Sequence, residues 1–204
     1  MKNVLIKILK IIIQNTRENY CRFSMILKFF FKASPKKLEF GCGPRVKKDF
    51  KGVDIRYFKG VYFLCNSYDI NNYVLRNSVE QIYSRHFLEH LTYKQGLKTL
   101  TSWLEILKQG GSLEVELPDL DYHLDQFRKD WDSPAEFNNK FTNLEHALAG
   151  IYGWQREGET KVWDVHKSGY NFETLKKILL ELGFTKIERV QSKKWNLHIT
   201  ALKK

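Results

Sequence analysis

The sequence is poor in the residues that staple small or secreted scaffolds, with 3 cysteines and 4 prolines in 204 residues. Cys21, Cys42 and Cys65 are scattered, odd in number and free of CxxC or Cys/His spacing, which argues against a disulfide framework or a thiolate zinc site. A reducing cytoplasm is the expected setting. No run approaches the roughly 18 uninterrupted apolar residues needed to cross a bilayer. Lys7 and Lys10 interrupt the N-terminal apolar run, which has no small-residue cleavage site and so makes a poor signal peptide. Internal repeats and low-complexity tracts are lacking. Few prolines beside 43% hydrophobic and 14% aromatic residues remove the signature of disorder. A chain of this length can bury most of its apolar surface in one core, so one domain with an appendage is expected.

What is present in excess is positive charge, a formal +11, and its location decides its meaning. Residues 1–37 hold nine basic side chains (Lys2, Lys7, Lys10, Arg17, Arg22, Lys28, Lys32, Lys36, Lys37) against Glu18 alone, a net of +8. The rest of the chain carries only +3. The basic character therefore belongs to an extension, taken as residues 1–36, and nucleic-acid binding by the domain at 37–204 is disfavoured. Within the extension, residues 4–13 and 25–31 space their apolar side chains as two helices with basic flanks. Two placements follow: packing on the domain or a second subunit, or lying on an anionic membrane surface as a peripheral contact.

From Lys37 onward, short β-branched or aromatic runs alternate with helical patterns, which argues for a wound α/β sheet. Strands are expected at 37–40, 52–55, 61–64, 81–84, 112–117, 185–191 and 196–202, seven in all. Helices are expected at 93–108, ended by Gly110-Gly111, and at 172–182, capped by Asn171 or Ser168 and ended by Gly183. Residues 119–170 read as an insertion roofing the sheet, with helical tendency at 121–130 and 134–149.

Leu38-Glu39-Phe40-Gly41-Cys42-Gly43-Pro44 ends the first strand in a turn whose glycines let backbone approach a ligand, since no Cβ intrudes. Eleven residues after Gly43, Asp54 ends the next strand, where a parallel neighbour would offer its carboxylate to a ribose diol. A nicotinamide dehydrogenase fits badly. Position 46 is Val rather than the third glycine, and the acid falls well short of the usual offset of about 20 residues. No helix to cradle a diphosphate has room between Gly43 and Asp54, so a cofactor without phosphates is favoured.

Glu39-x-Gly41-x-Gly43 resembles motif I of the class I S-adenosylmethionine-dependent methyltransferases. Ile82 to Leu91, ending in Leu-Glu-His-Leu, resembles that family's fourth-strand motif, and Leu107 to Asp119 resembles the Gly-Gly turn and fifth strand that follow. The short spacing from motif I to Asp54 is similar to a type 11-like subgroup associated with lipopolysaccharide, capsule or other glycan biosynthesis. So are Ile151 to Gln155, Asp164 to Lys167 and the closing Leu-Gly-Phe at 182–184. The resemblance implies a Rossmann-like seven-stranded methyltransferase sheet with helices on both faces. It implies S-adenosyl-L-methionine as cofactor, with Glu39, Gly41, Cys42 and Gly43 in the loop against it. Asp54 would meet its ribose, Asn66 and Ser67 its adenine, and Ile55, Ser84 and His86 would complete the set. Where the family commonly has Gly-Asp this chain has Cys65-Asn66, which keeps an acceptor and loses a charge.

Methyl transfer from a sulfonium needs alignment more than chemistry, because the leaving group is already good. A sugar hydroxyl would still gain from a base, and the strand ends and the insertion offer His166, His86, Asp119 and His146. Tyr152, Trp154, Trp163 and Tyr170 could stack on sugar faces, and Gln155, Arg156 and Asp164 could bond hydroxyls. No metal site is expected, since His86 and His90, one helical turn apart in number, lack a third convincing ligand. The acceptor expected is a small molecule or a glycan near the inner membrane face. An RNA methyltransferase and a catalytically inactive cofactor-binding scaffold are the alternatives.

Overall fold

The computed structural model describes residues 2–129, 131–155 and 163–204. Its centre is a seven-stranded sheet built from β1 (Lys37–Phe40), β2 (Lys51–Asp54), β3 (Val61–Leu64), β4 (Val79–Arg85), β5 (Leu107–Pro118), β8 (Phe184–Arg189) and β9 (Asn196–Lys203). The order across the sheet is β3-β2-β1-β4-β5-β9-β8. The first five strands run parallel, while β9 and β8 are antiparallel to their neighbours. The chain leaves β1 toward β2 on one side and later returns to its other side with β4. The sheet therefore has its switch point between β1 and β4, beyond whose carboxyl ends a crevice opens.

Phe40, Val53, Phe63, Ile82, Leu113 and Val115 are buried in the sheet, as parallel strands covered on both faces require. Three helices pack around it, two of them with capped ends. Thr92 and Gln95 form a capping box at the start of α2 (Tyr93–Ile106), and Asn171 with Thr174 forms another at α5 (Phe172–Leu182). Gly183 closes α5 in the left-handed region at φ +105°. The third, α1 (Lys2–Phe30), is one 29-residue helix where two were expected. Residues 14–24 between the two apolar stretches, mostly polar and without Gly or Pro, continue the helix without a breaker. α2 stops at Ile106 and the chain enters β5 at once, two residues earlier than the glycine pair suggested. The glycines fall where the β4–β5 register shifts.

The stretch 119–170 departs most from expectation. It holds α3 (Leu120–Phe127), a hairpin of β6 (Pro134–Ala135) and β7 (Asn138–Thr142), and α4 (Asn143–Tyr152). Where a helix was expected from 134, Phe137 and Phe141 stack 5.5 Å apart across the hairpin. Thr142, with Glu145 in a capping box, starts α4 only after the hairpin has closed.

At one edge of the sheet, Cys21 and Met25 are buried where α1 meets β3. Lys28 Nζ donates to Tyr62 O at 2.7 Å and lies over the Tyr62 ring. Ile12, Ile13, Phe23, Ile26 and Phe30 of the same helix are exposed. No helix among the described residues is long and apolar enough to cross a membrane. At the chain's far end, Lys203 Nζ donates to Leu104 O and Leu107 O at 2.6 and 2.8 Å, satisfying carbonyls left over where α2 ends.

Candidate active site

A cavity of about 530 Å³ opens at the carboxyl ends of β1, β2, β3 and β4. Gly41, Asp54, Ile55, Asn66, Ser67 and His86 line it, together with Phe87, His90, Trp163, Asp164 and Lys167. At Gly41 the backbone turns at φ +64°, and a Cβ there would stand 2.4 Å from the Phe87 ring. Glycine at this position thus lets the loop after β1 press against the loop after β4. Its N–H donates to Val53 O at 2.9 Å, so the turn folds back on β2.

Asp54 is buried at the end of β2, and its carboxylate is held from both sides. Gly43 N–H donates to Oδ2 at 3.0 Å and Arg56 N–H to Oδ1 at 2.9 Å. Two bonds leave lone pairs of a carboxylate free, since it offers about four acceptor directions. Gly43 itself is not on the wall; it acts through that hydrogen bond. Glu39, Cys42 and Ser84 are also not on it. Glu39 is buried in β1, and its Oε2 accepts the Lys47 N–H, so it fixes the loop that follows the turn. Burial pushes the Glu39 carboxyl up, against the opposing pull of Lys47. The Cys42 sulfur packs over Gly52, where a Cβ would come within 2.6 Å of it. Ser84 is fully buried and its hydroxyl has no hydrogen-bond partner. Burial pushes the thiols of Cys42 and Cys65 up to about 12, so neither is a thiolate nucleophile near neutral pH.

Asn66 Nδ2 donates to Asp69 Oδ2 at 3.1 Å, so a carboxylate three residues on stands beside the position where the family's charge is missing. Ser67 is buried against Thr99, with 2.7 Å between the hydroxyl oxygens.

The structure separates the candidate bases. His86, at φ +47°, is on the wall, and its Nδ1 stands 3.3 Å from Glu89 Oε1. The other three are not. Asp119 is buried away from the cavity, caps α3 through the Asp121 N–H and pairs with Arg189, so each of its oxygens already has a partner. His146 is buried among Phe137, Trp195 and His123, with its ring stacked 4.1 Å from Phe137. Burial lowers both His146 and His123 from 6.5 to about 4. His166 stands against His90 at 5.0 Å between ring centres, and burial lowers its pKa against the attraction of Glu89. Burial alone would raise the Glu89 carboxyl; contact with His86 and the charges of His90, His86 and His166 outweigh it and hold the group below its ordinary range.

Among the aromatic side chains, Trp163 is on the wall, with the Arg56 guanidinium 5.3 Å from its ring centre. Tyr170 is instead buried against Tyr93, and Trp154 packs on Phe141 at 4.7 Å. Tyr152 is exposed and Gln155 turns back to donate to Tyr152 O; neither lines the cavity. Arg156 lies outside the described residues. Arg56, Phe87, Gln95 and Lys167 on the wall were not anticipated: Arg56 sits two residues beyond Asp54 and Gln95 at a helix start, while Phe87 and Lys167 fall inside motifs whose spacing does not tell which side chains face the ligand.

No family model and no curated protein matches the sequence. Solved structures do share its architecture. A SAM dependent methyltransferase from Archaeoglobus fulgidus is 17% identical, with 92% of this chain and 94% of that one covered at a TM-score of 0.53. The PH0226 protein from Pyrococcus horikoshii OT3 is 14% identical, with coverages of 94% and 92% and a TM-score of 0.53. The 1,6-didemethyltoxoflavin-N1-methyltransferase of Burkholderia thailandensis, solved with 1,6-didemethyltoxoflavin and S-adenosylhomocysteine, is 14% identical, with coverages of 82% and 70% and a TM-score of 0.50. The chain thus has the Rossmann-like seven-stranded fold found in solved S-adenosylmethionine-dependent methyltransferases.

Proposed function

We propose that this chain is an S-adenosylmethionine-dependent methyltransferase that acts on a small-molecule or lipid-linked sugar acceptor beside a membrane surface. One observation carries the assignment: the Gly41 turn and the Asp54 carboxylate, predicted from the sequence as a pair, meet at one cavity on the sheet's switch point. The volume suits a nucleoside-sized ligand with room for an acceptor. The donor set also fits. Asp54 would accept from a ribose diol, Ile55 would cover the base with apolar surface, and Asn66 and Ser67 would meet its edge. Glu39, Cys42, Gly43 and Ser84 would support this set from outside the wall.

When bound, the cofactor would supply a methyl group on a sulfonium. Orienting the acceptor in line with it can remove roughly 7 to 11 kcal/mol of barrier, so wall shape matters more than any single acid or base. Of the candidates, His86 is the group placed to take a proton from an acceptor hydroxyl; His166, His146 and Asp119 stand off the cavity wall. Trp163, Asp164 and Lys167 line the outer part and would meet the acceptor.

Isothermal calorimetry with S-adenosylhomocysteine tests the cofactor site. Asp54→Ala should weaken binding by about 10- to 100-fold, the cost of losing charged hydrogen bonds. No heat with the unaltered chain would reject the assignment. A labelled-methyl assay on fractionated extract separates the acceptors. Label in glycolipid or small molecules supports the reading; label in RNA alone, or in nothing despite cofactor binding, replaces it with one of the alternatives.

The membrane part rests on α1, whose exposed Ile12, Ile13, Phe23, Ile26 and Phe30 lie among the basic residues of the extension. Flotation with anionic vesicles should carry the full chain upward. A variant with Phe23, Ile26 and Phe30 changed to Ser should stay behind; equal flotation of both would remove the membrane from the proposal.

A further inference from the structure

The loop after β4 and the segment entering α5 are joined by backbone. Glu89 O accepts from the N–H groups of Lys167 at 2.8 Å and Ser168 at 3.1 Å. That clip brings together side chains 76 residues apart. Glu89, His90 and His166 each offer one ligand atom, and the three atoms lie within 4.8 Å of one another.

Glu89 is 1% exposed, and neither carboxylate oxygen has a hydrogen-bond partner, although His86 Nδ1 stands 3.3 Å from Oε1. A buried carboxylate is normally hydrogen-bonded, so this group has room for a further cationic partner. The two imidazoles are held with their inner nitrogens committed: His90 Nδ1 donates to Val165 O at 3.1 Å and His166 Nδ1 to Gly150 O at 3.0 Å. A neutral ring that donates from Nδ1 keeps its free lone pair on Nε2, and outer bonds of this kind orient metal-binding histidines.

We propose that Glu89, His90 and His166 bind one divalent transition-metal ion, of which zinc is the type. Two imidazoles and a carboxylate suit zinc, cobalt or iron, whereas magnesium and calcium prefer oxygen alone. Ligand atoms at 2.0–2.2 Å from a tetrahedral ion stand about 3.4 Å apart, so the ion would draw the present cluster inward by about 1 Å. Three protein ligands leave a coordination position for another molecule, and His90 is also part of the cavity wall. The site stands independently of the methyl-transfer reading. Where that reading holds, the free position would take an oxygen of the acceptor.

The full chain, stripped with chelator and dialysed, is titrated with Co²⁺ and followed by visible absorption, then with Zn²⁺ by calorimetry. One ion per chain is expected, with a d–d band and no thiolate charge-transfer band. Zn²⁺ should raise the melting temperature. His166→Ala, His90→Ala and Glu89→Gln should each lower affinity at least tenfold, while His198→Gln, outside the cluster, should bind as the unaltered chain does. Should a ligand variant not fold, the other two and the melting shift of the unaltered chain decide. No stoichiometric binding, a thiolate band, or unchanged affinity in both histidine variants would overturn the proposal. Cofactor heat is read separately, so a chain that binds zinc and no S-adenosylhomocysteine would reject the methyltransferase assignment alone.

Discussion

The two sides of the cavity are built in opposite ways. The side formed by the ends of β1, β2 and β3 uses residues next to one another in sequence, with short hydrogen bonds from Gly43 and Arg56 onto Asp54. The side formed by residues 119–170 depends on distant partners: Glu89 with Lys167, Asp119 with Arg189, His146 with Trp195. Local turns fix the first, and burial of polar and aromatic groups fixes the second. The two should therefore fail under different stresses.

Acid should be the stress for the insertion. His123 and His146 ionise near 4 when folded and near 6.5 when free, so below 6.5 the unfolded chain takes protons that the folded one refuses. Stability is then highest above pH 6.5 and falls as pH drops toward 4, by up to about 3 kcal/mol for each histidine. Urea unfolding at pH 7 and 4.5 measures this. His146→Phe, which keeps the stacking on Phe137, should remove roughly 2 kcal/mol of the loss; an unchanged pH slope would show that His146 is not held neutral.

Steric crowding should be the stress for the cofactor side. Gly41→Ala places a Cβ in the left-handed region and against Phe87, and should cost about 2 to 3 kcal/mol in urea unfolding. Its effect on the pH slope should be nil, which separates the two sides. A cost below about 0.5 kcal/mol would mean that the two loops are not in contact as described.

The smallest effect should come from the bridge between the sides. Arg56→Ala removes the guanidinium over Trp163, a contact between partly exposed groups worth about 0.5 to 1 kcal/mol. S-adenosylhomocysteine affinity should fall no more than about fivefold. A larger loss would mean that the insertion takes part in holding the cofactor.

The same contrast explains what was legible in the sequence. The strands at 37–40 and 61–64, the helix at 172–182 and its Asn171 and Gly183 ends were all readable, because each is specified by neighbours within a few residues. The Gly41–Asp54 pair was readable for the same reason. The hairpin at 134–142 was not, since Phe137 and Phe141 have a spacing that either a helix or a stacked hairpin satisfies. Glu39, Cys42, Gly43 and Ser84 fall inside motifs that reach the cavity, and spacing alone does not tell a wall residue from its support. Asp119 and His146 were chosen for their position near strand ends, and only the fold reveals Arg189 and the aromatic cluster that occupy them. The joining of Glu89 and His90 to His166 has no local signal at all, because a backbone clip closes a loop of more than seventy residues.

The place of β9 in the sheet bears on how the molecule comes into being. It lies between β5 and β8 and follows both in sequence, so during synthesis β5 waits with one flank bare until residues 196–203 emerge. A stop codon or proteolytic nick before Asn196 would leave that flank open, and with it an edge able to pair with another nascent chain.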